Sequence, residues 1–286
     1  MNITKATYGD YDVLDIVTSF IRDGVLRISP TNTLFKKDPK PGIIKYLDLI
    51  VDNISYSIKE NEYFEYPKNT NIQKLGIFYT NNNIPRVVEY CLKDLVKFEK
   101  KADIFSCVWK HIPNNPFHEL TAYTQNSHHL NITIQILQLL YAAQDHKQYD
   151  YVSFLEHDVL YPEDYFDFDG FGLEYKGLVN ANYVGLCSQG FQKKNQNDLP
   201  LHQITMRFDQ AIKHFETMMI RAVKERSVVL EVDNLQQRSC KNSSIHINHG
   251  NHFTSHYNIY SKKDVSQYDN YWGNGVELIQ KIMNRN

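Results

Sequence analysis

No stretch of this sequence stays apolar for the ~20 residues that a membrane-spanning helix needs. Its opening, Met1 to Asp10, has no basic segment followed by an apolar one, so no secretory leader is expected and a cytoplasmic location is. Cys91, Cys107, Cys187 and Cys240 stand far apart with no Cys-x-x-Cys pair, which excludes zinc-finger spacing and a dense disulfide framework. Gly-x-Gly-x-x-Gly, a Walker lysine loop and a Gly-x-Ser-x-Gly elbow are all missing. Dinucleotide binding on a glycine-rich turn, P-loop chemistry and α/β-hydrolase chemistry are therefore disfavoured. A net charge of −2 rules out a uniformly basic coat for nucleic acid, though not a local patch. Internal repeats and low-complexity tracts are absent too.

What is present suits a globular α/β protein. At 286 residues and 42% hydrophobic the chain buries a sizeable core, as one large domain or one with an appendage. Apolar spacing predicts helices over residues 10–21 and 43–58, separated by a Pro/Thr/Asn/Lys loop at 29–42. Residues 1–72 thus read as a helical N-terminal extension, closing on a polar linker at 61–71. From residue 74 strands and helices alternate: strands at 75–80, 104–109 and 151–155, with helices at 86–100 and 131–143. Further strands are expected within 179–187 and at 228–232, with a long helix over 203–224 between them. Residues 73–286 therefore form a mostly parallel sheet with helices on its faces, and ligand loops at the carboxyl ends of its strands.

The most informative run is Tyr149-Asp-Tyr-Val-Ser-Phe-Leu-Glu-His-Asp158, a short apolar strand that delivers Glu156 and Asp158 at its end. Acids at i and i+2 of an extended backbone point to one side and share one hard cation through oxygen. The plainer alternative is a solvated acidic turn, since residues 145–174 hold nine acids and one Lys or Arg. Most of those acids follow Pro162, however, whereas Glu156 and Asp158 close the strand. A second cluster, His246, His249, His252 and His256, offers imidazole ligands to an ion on Asp158. His249 and His252 are favoured, because Gly250 lets the backbone approach closely. Tyr79, Thr80, Asn81, Asn82 and Arg86 lie between a strand end and a helix start, a place suited to a nucleotide, although Asn runs make turns more often than sites. Residues 191–226 carry seven Lys or Arg against four acids, either a phosphate-tracking face or an ordinary solvated helix face.

From about residue 74 to 260 the chain resembles a glycosyltransferase of the GT-A fold. The resemblance rests on the strand ending Phe78-Tyr79-Thr80-Asn81, a second strand, a helix, and the run ending Glu156-His157-Asp158. It implies a nucleotide-sugar donor and Mn²⁺ or Mg²⁺, in a fold that is Rossmann-like. In the family the run ends Asp-x-Asp, so here Glu156 stands for the first acid. The resemblance makes Asp158 the metal ligand, joined by a histidine from 249 or 252, with Glu156 and His157 toward donor or metal. Inverting members also need a carboxylate base, for which Asp209, Glu216 and Asp233 are candidates. Residues 187–226 would face the acceptor. Usage of Asn, Lys, Ile and Tyr has the flavour of an A·T-rich genome such as a phage, in which case a hydroxymethylated DNA base joins the acceptor classes. Two other readings use the same residues: a His/Asp metallohydrolase, and a non-catalytic protein binding glycan or nucleic acid.

Overall fold

The computed structural model describes all residues except 23, 68–71, 83, 124–128, 173–174, 195–199, 226–231, 248–259 and 284–286, with backbone alone at 129, 194, 225 and 260–264. It divides into two compact units. The smaller comprises Met1–Ile72, Asp169–Gly177 and Asn234–Gln236, and the larger comprises Gln73–Phe168, Leu178–Asp233 and Gln237–Asn286.

The smaller unit is built of strands, which overturns the helical extension expected for residues 1–72. An antiparallel sheet runs Tyr11–Asp12, Ile3–Tyr8, Tyr46–Val51, Ile54–Lys59, beside a second sheet of Ile21–Arg22, Val25–Ile28 and Phe64–Tyr66. The period over 46–51 is two, not 3.6: Leu47, Leu49 and Val51 are buried while Tyr46 and Asp48 are exposed. Asp52 and Asn53, both at positive φ (48° and 67°), turn this strand into the next, and short Asp/Asn residues tolerate that conformation in hairpin turns. Of the helix expected over 10–21 only Leu14–Thr18 forms. Tyr8, Val17, Leu26, Ile28 and Leu47 centre the core of this unit.

The chain is of the expected α/β class, with a seven-stranded sheet. Its order is His118–Thr121, Asp103–Val108, Lys74–Tyr79, Tyr151–Glu156, Ile204–Arg207, Gly177–Asn180, Leu235–Arg238. The first four strands are parallel, and Ile204–Arg207 runs antiparallel to Tyr151–Glu156. Counted in chain order within the sheet, the sequence is 3-2-1-4-6-5-7, so the winding reverses between Lys74–Tyr79 and Tyr151–Glu156. Open α/β sheets bind ligands at the carboxyl ends of the strands flanking such a switch point. Tyr79 and Glu156 are in register there.

Helices Pro85–Asp94, His129–His146, Phe208–Glu225 and Gly275–Met283 accompany the strands. The helix expected over 203–224 starts later, because 204–207 are absorbed as a buried sheet strand. The strand expected within 179–187 is Tyr183–Cys187, and the end of a second, Gly177–Asn180, falls in the same segment. The strand expected at 228–232 falls almost wholly outside the described residues. There are also a five-stranded sheet of Val159–Leu160, Ser244–Ile247, Tyr183–Cys187, Gly190–Lys194 and Tyr260–Ser266, and a two-stranded one of Tyr268–Asp269 and Gly273–Asn274. The five-stranded sheet pairs Val159 with His246. Among the described residues no helix is long and apolar enough to cross a membrane.

Candidate active site at the sheet switch point

Residues 151–155 are buried throughout, as befits a central parallel strand covered on both faces, and only Glu156 at its end is partly open. Its carboxylate bridges sideways. Oε1 accepts from the Tyr79 hydroxyl at 2.9 Å and Oε2 lies 3.0 Å from His202 Nδ1. The Glu156 backbone N–H donates to the Tyr161 hydroxyl at 3.0 Å. The chain then turns through 157 and 158, so the extended i, i+2 geometry stops at Glu156 and the two acids meet different partners. Asp158 is 8% exposed, with Oδ2 3.3 Å from His246 Nε2. Its carbonyl accepts the Ile247 N–H at 2.7 Å, fixing the turn to the smaller sheet.

Burial by itself would raise the Glu156 carboxyl, but the charge of His202 and its hydrogen bond outweigh that and hold it below the usual carboxylate range. An ionised carboxylate only accepts, so His202 Nδ1 carries the proton of that bond. Burial would likewise lower His246, yet the Asp158 charge and hydrogen bond leave it raised. The Tyr79 and Tyr161 phenols are pushed well above their ordinary value, by burial first and then by neighbouring groups including Glu156, so both stay neutral hydroxyls. His202 itself is 2% exposed, and its Nε2 is buried without a hydrogen-bond partner.

The other expected site residues divide. Thr80 is buried beside the cluster, its carbonyl accepting from Gln135 Nε2 at 3.0 Å. Asn81 lies at the strand end and His157 in the turn, both part-buried. Asn82 is a loop clamp rather than a nucleotide contact. Its Oδ1 accepts the Trp109 and Lys110 N–H groups at 2.8 and 3.2 Å, while its Nδ2 donates to the Lys110 carbonyl. Arg86 turns away too, donating to the Met283 carbonyl at 2.8 Å and so tying two helices together. Asp209 stands at the wrong edge of the sheet: Arg207 pairs with Tyr151 and the Phe208 N–H donates to the Asp150 carbonyl, at the amino end of the strand whose far end is Glu156. Glu216 accepts the Tyr141 hydroxyl on the helix surface. Asp233 is exposed, just before Asn234, whose carbonyl accepts the Lys176 N–H at the start of Gly177–Asn180. The structure brings none of these three acids to Glu156.

His249 and His252 lie outside the described residues, and it is their neighbour His246 that reaches Asp158. Tyr161 and Gln135 were missed in the sequence, and His202 was read only as part of the basic segment 191–226. Only Tyr161, in the Leu-Tyr-Pro that follows the acids, had a local signal; His202 arrives from 46 residues away.

Asp158 and His246 supply one carboxylate oxygen and one imidazole nitrogen, donors that suit a borderline divalent ion. Among the described residues no three His, Cys, Asp or Glu side chains form a ready-made cage, so what stands at the switch point is a set of close pairs.

No family model matches the chain, and no curated protein matches it in sequence. Several solved structures resemble parts of it. Glycosyltransferase GlyE of Streptococcus pneumoniae TIGR4, in its apo form, is 14% identical over 59% of this chain and 46% of its own, with a TM-score of 0.35. S. aureus TarS 1–349 in complex with UDP-GlcNAc is 9% identical over 74% of this chain and 65% of its own, with a TM-score of 0.39. A197 from STIV is 14% identical over 51% and 68%, with a TM-score of 0.26. The chain spans less than two thirds of the length of the first two. Likenesses this slight say nothing of chemistry, and the site has to speak for itself.

Proposed function

We propose that this chain is a glycosyltransferase that moves a sugar from a nucleotide-diphosphate sugar to an acceptor hydroxyl, with a divalent cation, Mn²⁺ or Mg²⁺, at Asp158. The observation that carries the reading is the position of the Tyr79–Glu156–His202 and Asp158–His246 pairs at the carboxyl edge of an α/β sheet, where its winding reverses. The resemblance of the run ending Glu156-His157-Asp158 to the GT-A motif supports it. A cation bound there would neutralise the donor diphosphate and stabilise it as a leaving group. Asp158 and His246 hold the cation in this reading, Thr80 and Asn81 line the donor, and Tyr79 and Tyr161 stay neutral beside Glu156. Asp209 and Asp233 have no part in it, since neither lies at this edge.

A thermal-shift series with UDP-, GDP- and dTDP-sugars, each with and without Mn²⁺, tests the proposal. A ligand at 100 times its Kd adds about 2.7 kcal/mol, which for a chain of this size is a rise of roughly 4 °C. Stabilisation by one sugar nucleotide that depends on Mn²⁺ supports the reading and names half of the donor. If no sugar nucleotide shifts the melt with or without metal, the reading fails. Acceptors are then screened with that donor, hydroxymethylated DNA among them. Donor hydrolysis without nucleotide preference would point to the metallohydrolase instead.

A further inference from the structure

The smaller unit carries an apolar loop tip in the open. Ile43 and Ile44 are 62% and 58% exposed, and among the described residues they are the only exposed large hydrophobics adjacent in the chain. Tyr46, where the next strand begins, is exposed as well. Exposed apolar side chains standing singly are commonplace, whereas a contiguous group marks a contact surface.

The loop holds this tip out. The Ile43 N–H donates to the Lys40 carbonyl at 3.2 Å, closing a turn with Pro41 and Gly42 at its corners. Gly42 has a φ of +78°, the left-handed value that the third position of such a turn requires, and proline suits the second. At the base Lys45 is buried, its ammonium 2.9 Å from Asp38 and 3.5 Å from Glu60. Pro39 packs against Gly9, where an added Cβ would come within 3.2 Å of the proline ring. The isoleucines are thus presented by a braced turn, not trailed on a slack one.

Charge is sorted along the same loop. Residues 36–46 hold four Lys and one acid. That acid, Asp38, is engaged at the base by Lys45, whereas Lys36, Lys37 and Lys40 are exposed. Lys37 lies over the Tyr11 ring at 3.9 Å, and Lys40 meets Asp10 at 3.6 Å in a pair open to water. The three lysines therefore present positive charge beside the apolar tip.

We infer that the loop of residues 36–46 docks on an anionic membrane surface, with Ile43 and Ile44 entering beneath the headgroups and Lys36, Lys37 and Lys40 lying among them. Lysine stems follow apolar surface while their ammonium groups stay in the polar layer, and tyrosine rings such as Tyr46 are at home at headgroup depth. Apolar insertion and basic charge are the two signals that together give stable attachment where one alone is marginal. Area decides against a folded protein as occupant: a tip two isoleucines wide falls far short of the ~800 Å² that each partner of a standard interface buries. Lipids, in contrast, rearrange around a narrow wedge. The inference is independent of the glycosyl-transfer reading and adds a place of work to it.

The test floats the full chain with phosphatidylcholine vesicles, with and without ~30 mol % phosphatidylglycerol, at ~0.1 M salt, where charge still acts over ~10 Å. The wild type should float with the anionic vesicles and stay behind with the neutral ones. Ile43→Ser/Ile44→Ser alters only exposed side chains, so it should melt as wild type does and bind the anionic vesicles at least about tenfold more weakly. Lys36→Glu/Lys37→Glu should weaken binding to a similar degree. A wild type that does not float with anionic vesicles overturns the inference, and so does flotation that survives the serine pair. Equal flotation with neutral vesicles overturns it too, since the lysines would then have no part. If the serine pair melts lower than wild type, the glutamate pair decides, and unchanged binding there overturns the inference. A wild-type dimer that the serine pair dissolves, with no flotation, overturns it in favour of a second copy of this chain as the occupant.

Discussion

The Tyr79–Glu156 bond is a quantitative test of whether the switch-point cluster is one electrostatic unit. Tyr79→Phe removes a hydroxyl that donates to an ionised carboxylate at 2.9 Å, inside a site where Tyr79 is 4% exposed. A hydrogen bond to a charged group contributes ~1.5–3 kcal/mol, a neutral one ~0.5–1.5. If Glu156 carries its charge in the folded state, Tyr79→Phe costs the larger amount in the wild type. In a Glu156→Gln background, where the acceptor is neutral, it costs only the smaller. The double-mutant cycle should therefore return a coupling of about 1–1.5 kcal/mol. Urea unfolding followed by tryptophan fluorescence reads it cleanly, because both tryptophans, Trp109 and Trp272, lie in the larger unit. Independent sites add to within ~0.3–0.5 kcal/mol. A measured coupling inside that scatter would refute the claim that His202 keeps Glu156 ionised against its burial.

Other expectations follow from single features. Asp158→Asn should abolish any Mn²⁺-dependent thermal shift by a sugar nucleotide while the metal-free melt stays within a few degrees of wild type; an intact shift would remove Asp158 from the site. Asp209→Ala should leave donor turnover unchanged, since Asp209 sits at the opposite edge of the sheet from Glu156, and a large loss of kcat would contradict that placement. Gly190→Ala should destabilise the larger unit by ~2 kcal/mol or more, by urea unfolding, because φ there is +123° and a Cβ would run into the Ser266 carbonyl oxygen. Burial works to raise Asp103, but its bonds to Lys147 and Tyr149 win and lower it. Its stabilisation is therefore present above the ordinary carboxylate range and lost as pH falls through the lower folded value, so Asp103→Asn should flatten the acid limb of a stability–pH profile.

The legible parts of this chain were those in which one strand or helix states its own period. Lys74–Tyr79, Asp103–Val108 and Tyr151–Glu156 are short apolar runs between polar breaks, and each lies within a residue or so of its expected place. Residues 43–58 misled because Ile43, Ile44, Leu47, Ile50, Val51, Ile54 and Ile58 fit a helical stripe as well as they fit two strands. The decisive signal was Asp52-Asn53, a hairpin turn pair whose positive φ values break any helix. The end of the third strand announced Glu156 and Asp158, but nothing local announced their partners. His202 reaches Glu156 through an antiparallel strand added beside Tyr151–Glu156, and His246 reaches Asp158 through pairing in a second sheet. Both are long-range contacts that no spacing in the sequence encodes.

That topology also accounts for a glutamate, rather than the shorter aspartate, at position 156. Glu156 ends a central strand with Lys74–Tyr79 on one side and Ile204–Arg207 on the other. Its register partner across the first boundary is Tyr79, and His202 lies two residues before the strand across the second. Neighbouring strands are ~4.8 Å apart, so a carboxylate that serves both has to stand clear of its own strand. The extra methylene of glutamate supplies the reach, and the two bonds at 2.9 and 3.0 Å show it used in both directions. Aspartate on the same backbone would hold its oxygens closer to the strand tip and could not serve both partners. Glutamate at this position is thus a bridge across the switch point, from Tyr79 on one strand to His202 beside the other.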